Sequence, residues 1–233
     1  MLVYGKNVFK EIVNNKKSIE NVILQDGFND NEILNMIENN KIKYKYASKK
    51  EIDRLANGVH QGIIFYVSDY NYYSIDELIE DKEDSFLVLL DHLEDPHNLG
   101  AIIRTCEAAG VDGIVLPKDR QVQINSTVMK TSVGTIDNVR IASVTNLVNT
   151  IKKLKENGYW IVGTSLKDSV DYREIDYSGK IALIIGNEGT GISRLVENEC
   201  DFIAKIPMYG KTNSLNASVA AGIMIYEVIR NRK

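Results

Sequence analysis

The sequence predicts an α/β fold: a mostly parallel sheet covered by helices on both faces, preceded by a small α/β unit. Three observations predict it. From Phe86 to the C-terminus, strand-length apolar runs alternate with amphipathic helical stretches, the pattern of a parallel sheet buried on both faces. Residues 1–68 alternate in the same way on shorter elements. Between them Ser68–Ser85 is polar, acidic and rich in tyrosine, as connections between packed units are. The expected organisation is a small unit over 1–68, an acidic linker over 69–85 and a larger unit over 86–233.

In the first unit, apolar spacing predicts helices over Lys6–Asn14, Asn31–Glu38 and Lys49–Ala56. Strands are expected over Asn21–Leu24, Lys43–Tyr46 and Gly62–Val67. In the connecting stretch, Ser74-Ile-Asp-Glu77 reads as a capping box that starts a helix. In the larger unit, strands are expected at Phe86–Asp91, Gly113–Leu116, Val139–Ala142, Trp160–Gly163, Ile181–Ile185 and Phe202–Lys205. Helices are expected at Leu99–Ala109, Ser126–Thr131, Asn146–Asn157, Ser193–Glu197 and Leu215–Arg230.

A net charge of −4 argues at first against a nucleic-acid binder. The charge is unevenly spread, however. Residues 69–85 hold seven acids and one lysine, 86–233 hold seventeen of each sign, and 1–68 hold ten Lys/Arg against eight acids. Lys41–Arg54 (KIKYKYASKKEIDR) is basic with two interleaved tyrosines. It is either a phosphate-and-base contact surface or a solvated strand–helix surface. Cys106 and Cys200 form no CxxC, which fits inert thiols in a reducing compartment. The N-terminus shows no signal pattern, and the longest apolar runs are too short to cross a membrane. The expectation is a cytoplasmic protein with no membrane partner.

Several familiar nucleotide and metal signatures fail. Gly186-Asn-Glu-Gly-Thr-Gly191 is glycine-rich but is not G-x-G-x-x-G. Lys205–Thr212 ends like a P-loop, yet position 205 is lysine where glycine is required. His60, His92 and His97 have no ligand spacing with either cysteine, so no metal is expected.

Three segments carry the candidate chemistry. In the first, a strand ends at Asp91, a proline turn follows, and Asn98 is expected to cap the helix that starts near Leu99. Arg104 follows six residues later, about 1.7 helical turns on. Its pattern fits a surface salt bridge as well as a functional role. The second is the loop Gly186–Gly191 with Glu188 at its tip, at the C-terminal end of a strand where open α/β sheets bind ligands. A plain strand–helix turn fits it too. The third is Ile206–Ser218, which enters the last helix with Ser214 as the expected N-cap. Ser214 and Asn216 serve either helix initiation or a site.

Together these segments, DPHNLGAIIRT, IALIIGNEGTGIS and IPMYGKTNSLNASVAAG, resemble the three motifs of the SpoU, or TrmH-type, RNA ribose 2′-O-methyltransferases of the SPOUT superfamily. The likeness continues through Lys118–Leu147 and, in the first unit, through Val3–Asn7 and Val59–Ile63. Those two segments resemble the small RNA-binding domain of bacterial members, which is similar to a eukaryotic large-subunit ribosomal protein. The nearest likeness is to the RlmB-like group, which modifies a guanosine ribose in large-subunit (23S) rRNA. Cys106, Asn213 and Ala217 depart mildly from the family text, and none is a proposed functional side chain.

The resemblance implies a C-terminal domain with a deep trefoil knot, S-adenosylmethionine as methyl donor, RNA as partner and a homodimer. It assigns cofactor contacts to Gly186, Ile206 and Leu215, with Thr164, Asn187, Met208 and Asn216 as neighbours. Arg104 matches the family's catalytic arginine, and Asn98, Glu188, Ser214 and Asn216 would orient the reacting groups. A guanidinium, which keeps its proton far above neutral pH, is a poor general base. Stabilising developing alkoxide charge or holding a phosphate asks less of it. The alternatives are a tRNA or antibiotic-resistance rRNA methyltransferase, and a non-catalytic RNA-binding assembly factor.

Overall fold

The computed structural model describes residues 1–16, 18–56, 58–132 and 134–232. The chain packs as two compact units, Met1–Asn71 with Ile124–Asp137, and Tyr72–Gln123 with Asn138–Lys233.

The first unit runs β1 (Leu2–Tyr4), α1 (Lys6–Asn14), β2 (Ile19–Gln25), α2 (Asn31–Asn39), β3 (Tyr44–Ala47), α3 (Lys49–Leu55) and β4 (Ile63–Val67). Its sheet has the order β1-β4-β2-β3, with β2 and β3 parallel and the other pairs antiparallel. Asp30 and Ser48 cap α2 and α3 by accepting from Ile33 N and Glu51 N. Phe9, Ile12, Val22, Leu24, Ile33, Ile37 and Phe65 are buried. The edge-on contact of Phe9 and Phe65, 5.3 Å between centroids, sits among them.

The second unit begins with α4 (Ile75–Leu78), β5 (Ser85–Asp91), α5 (Pro96–Ala109) and β6 (Gly113–Pro117). After α6 (Ser126–Thr131), which belongs to the first unit, it continues with β7 (Ile141–Val144), α7 (Leu147–Glu156), β8 (Trp160–Thr164) and β9 (Val170–Asp171). It ends with β10 (Lys180–Gly186), α8 (Arg194–Glu197), β11 (Phe202–Lys205) and α9 (Ala217–Asn231). The seven-stranded sheet has the order β7-β6-β5-β10-β8-β11-β9, and every ladder is parallel. All seven residues of β5 are buried, which is why that strand reads as one apolar run rather than an alternation. The sequence-predicted strand Val139–Ala142 lies two residues later, and β1 and β9 were too short for a pattern to mark them.

The expected division of the chain is corrected in two places. The stretch 69–85 is not a free linker, because from Tyr72 it is part of the second unit. Tyr73 N donates to Ile141 O at 2.9 Å, and Leu78 is fully buried against Gly113. One of its acids, Glu80, pairs with Lys82 and Arg140, and Lys82 also reaches Asp112. The capping box forms, with Ser74 N donating to the Glu77 carboxylate at 2.7 Å. Ile124–Asp137 leaves the second unit for the first. There α6 packs on β1, Lys130 Nζ lies 5.2 Å from the Tyr4 ring centre, and Asn15 donates to Gly134 O.

Candidate active site

In a parallel sheet the strand C-termini all open on one side, and ligands bind there where the strand order turns. Here β5 is flanked by β6 on one side and by the much later β10 on the other. A cavity of about 360 Å³ lies at the C-terminal ends of β8, β10 and β11, within the range of small-molecule sites. Its walls include Thr164, Gly186, Asn187, Ile206, Met208 and Leu215. These are the three residues expected to contact the cofactor and three of the four expected beside it. Glu188 and Ser214 line it as well.

The loop after β10 is shaped by its glycines. A Cβ on Gly186 would lie 2.2 Å from the carbonyl carbon of Gly191 and 2.3 Å from Ile192 N, so only glycine allows the two backbones to pass. Asn187 and Gly191 exchange both backbone hydrogen bonds, at 3.0 and 2.9 Å, and Gly191 holds φ at 70°. The Asn187 side chain accepts from Gly189 N at 2.8 Å and donates to His92 O at 2.8 Å. Asn187 therefore shapes the loop from inside.

Two helix starts differ from expectation. Asn98 does not cap α5. Asp95 does, accepting from His97 N at 2.9 Å with Pro96 in the first turn. Asn98 lies inside that turn and is buried. Its amide donates to Glu188 Oε1 at 2.5 Å and accepts from Asn216 Nδ2 at 2.9 Å. Likewise Ser214 does not cap α9. Asn216 does, accepting from Ser218 N at 3.0 Å, and Ser214 is left facing the cavity. One buried amide thus ties the first motif to the tips of the other two. Asn216 is absent from the cavity wall and is linked to Glu188 through Asn98.

Arg104 is not in this cluster. It is exposed on α5 and makes no hydrogen bond or ion pair among the described residues, so the surface salt bridge its pattern allowed does not form.

Sequence reasoning missed a second anchor. Asp91 is completely buried at the end of β5. Its carboxylate accepts from Ser193 N at 2.6 Å and meets His92 Nδ1 at 2.5 Å. His92 holds φ at 61°, an uncommon conformation for a residue with a Cβ. The Asp91–His92 corner thereby holds both ends of the 187–193 loop. A charged residue closing an apolar strand was the available signal. Lys167 and Lys205, which also line the cavity, carried no signal in sequence.

Thr164 Oγ1 donates to Ile184 O at 3.0 Å, so its hydroxyl offers a ligand only lone pairs. Burial pushes the Cys200 thiol up to about 12 and that of Cys106 higher still, which leaves neither sulfur as a nucleophile. Among the described residues no group of His, Cys, Asp and Glu could hold a metal ion. No helix among them is long and apolar enough to cross a membrane.

Comparison with known proteins agrees along the whole chain. Residues 85–226 match the model of the SpoU rRNA Methylase family, and residues 2–73 match that of the RNA 2′-O ribose methyltransferase substrate-binding domain. A Staphylococcus saprophyticus relative, named as a TrmH family tRNA/rRNA methyltransferase, is 45% identical over 100% of this chain and 96% of its own. The AdoMet-bound rRNA methyltransferase of Sinorhizobium meliloti superposes with a TM-score of 0.80 at 28% identity, covering 98% of this chain and 86% of that one. The A. aeolicus TrmH/SpoU tRNA modifying enzyme is 37% identical, with a TM-score of 0.59, and covers 68% of this chain and 80% of its own.

Proposed function

Given that the chain belongs to the SpoU rRNA methylase family and is an RNA methyltransferase that uses S-adenosylmethionine, we propose that it methylates a ribose 2′-hydroxyl, that of a guanosine, in large-subunit (23S) rRNA in the cytoplasm. The observation that carries this reading is the convergence of Asn98, Glu188 and Asn216 beside an adenosine-sized cavity.

The cavity suits the donor. Ile206, Met208 and Leu215 offer an apolar slot for a flat base, and the glycine loop brings backbone groups close without side chains in the way. Glu188 would meet the cationic part of the molecule, and Lys167 or Lys205 its carboxylate. When bound, S-adenosylmethionine supplies a sulfonium-activated methyl group. The chain's residues must then hold a ribose oxygen in line with that methyl, and placement of the two substrates supplies much of the acceleration. We assign orientation to Glu188, Ser214 and the Asn98–Asn216 pair. Arg104, unpaired and exposed, would hold the neighbouring phosphate or stabilise charge developing on the oxygen. Removing such a donor typically costs on the order of 10²–10³ in rate.

We further read the protein as a homodimer whose shared face includes α5 and α9. These helices pack together, α9 exposes Val219 and Tyr226, and Arg104 would act across that face. We read the C-terminal chain as knotted. In support, β11 lies beyond β8 in the sheet, yet α9 returns to pack on α5 and β10. The choice of rRNA rests on the first unit. The rRNA methyltransferase likeness spans nearly the whole chain, whereas that to the tRNA modifying enzyme leaves about a third of it unmatched. Competition of 23S rRNA and tRNA transcripts for labelled S-adenosylmethionine tests the choice. Label confined to rRNA is expected, and preferential tRNA labelling would overturn it.

A further inference from the structure

The first unit carries an aromatic and basic edge that its own packing does not use. β3 is the outermost strand of its sheet, with one side unpaired. Tyr44 and Tyr46 alternate onto one face of it, 44% and 49% exposed, with ring centroids 5.8 Å apart and planes at 81°. Neither phenol makes a hydrogen bond among the described residues. Lys43 and Lys45 stand on the opposite face of the same edge, and Lys49 and Lys50 follow in the first turn of α3. All four are exposed, and none forms an ion pair among the described residues. Two other lysines of this unit are matched, Lys6 with Asp30 and Lys10 with Glu32. The nearby acids do not neutralise the edge: Asp53 is engaged by His60 at 2.8 Å, and Glu51 stands alone.

Two exposed rings on a strand edge that also carries free ammonium groups match one chemistry closely. Bases of a single strand stack on tyrosines while lysines track the phosphates. Duplex RNA, read by shape and 2′-hydroxyls, has no use for the rings. Another protein strand is disfavoured because lysines on an edge oppose strand addition.

We propose that the β3 edge binds a single-stranded stretch of the RNA substrate, with bases on Tyr44 and Tyr46 and phosphates at Lys43, Lys45 and Lys49. The proposal rests on the reading of the chain as an RNA methyltransferase. It adds where the first unit grips the substrate and in what form.

The test titrates the full chain with a labelled, unstructured RNA of about twelve nucleotides. The Tyr44→Ala/Tyr46→Ala double variant should bind roughly ten-fold or more weakly. Tyr44→Phe/Tyr46→Phe keeps the ring faces and should bind as the parent does. Lys43→Gln/Lys45→Gln should lower the slope of log K against log salt by about 0.7 for each phosphate no longer neutralised. In RNA methylation, the alanine double variant should raise KM with kcat nearly kept, and its affinity for S-adenosylmethionine should equal the parent's. RNA affinity of the alanine variant within two-fold of the parent's would overturn the proposal. So would a defect confined to self-association of the protein. If the parent binds the oligonucleotide through these residues but methylates no RNA, the functional reading fails while the surface stands.

Discussion

The buried amide of Asn98 donates to Glu188 Oε1 over 2.5 Å, joining residues ninety positions apart in the chain. Its oxygen in turn accepts from Asn216. We expect Asn98→Ala to cost about 1–3 kcal/mol of stability, because it leaves partners of a buried group unmatched. Asn98→Asp should be worse near neutral pH, since it sets a second carboxylate against Glu188. Like charge raises the pKa of one of the two, so the folded pair protonates more readily than the unfolded one and the defect shrinks as pH falls. Denaturant titrations at pH 5 and pH 8 check this. Equal stability of Asn98→Asp and the parent at both would contradict the contact.

Gly186 and Gly189 sit three residues apart in one loop and should respond oppositely to alanine. At Gly186 the new methyl would collide with backbone at 2.2 Å. A loss of about 3 kcal/mol or more is expected, beyond ordinary overpacking, because main chain cannot step aside. At Gly189 the nearest atom is the Asn187 amide oxygen at 3.5 Å, and stability should stay within about 0.5 kcal/mol. Calorimetric titration with S-adenosylmethionine should show binding lost in the first variant and kept in the second.

Asp91 reaches across the chain to Ser193 N, and its removal should free the 187–193 loop. We expect Asp91→Ala to weaken S-adenosylmethionine roughly ten-fold, the scale of losing one charge-assisted hydrogen bond. Hydrogen exchange should quicken at Asn187–Ser193 while β5 stays protected. Unchanged exchange in that loop would remove Asp91 from its role as anchor.

The legibility of these parts differs for physical reasons. β5 and β10 were plain in the sequence because both faces of each are buried. Asn98 and Ser214 were misplaced because Ser, Asn and Asp are nearly equivalent caps, so a cluster of them near a helix start does not say which one caps. Pro96 was the cue for α5, since proline favours the first helical position and points to Asp95 as the cap. The cavity residues Thr164, Ile206 and Leu215 came from likeness to a family, since nothing in their spacing marks them. The docking of Ile124–Asp137 on β1 is long-range packing that no local pattern encodes.

Stability should fall at acid pH in a defined window. Arg173 donates to Asp171 through Nε at 2.9 Å and Nη2 at 2.6 Å, and this fork holds the carboxyl at about 2 rather than 3.8. A pKa lower in the folded state gives stability that is present above 3.8 and lost as pH falls toward 2. Asp30, Glu80 and Glu227 are lowered in the same sense by Lys6, by Lys82 with Arg140, and by Arg230. The melting temperature should therefore hold down to about pH 5 and drop below about pH 4. Asp171→Asn should soften that acid limb. An unaltered limb would show that the fork contributes nothing to folding.

Which atom receives the methyl group decides the reaction. Labelled S-adenosylmethionine, the protein and 23S rRNA should yield RNA whose label survives alkaline hydrolysis in a dinucleotide, because a blocked 2′-oxygen cannot attack its own phosphate. A 2′-deoxy residue at the mapped position should abolish labelling, and Arg104→Ala should lower it by about 10²–10³. Label released in mononucleotides, or kept on the 2′-deoxy substrate, would place the methyl on a base and contradict ribose methylation.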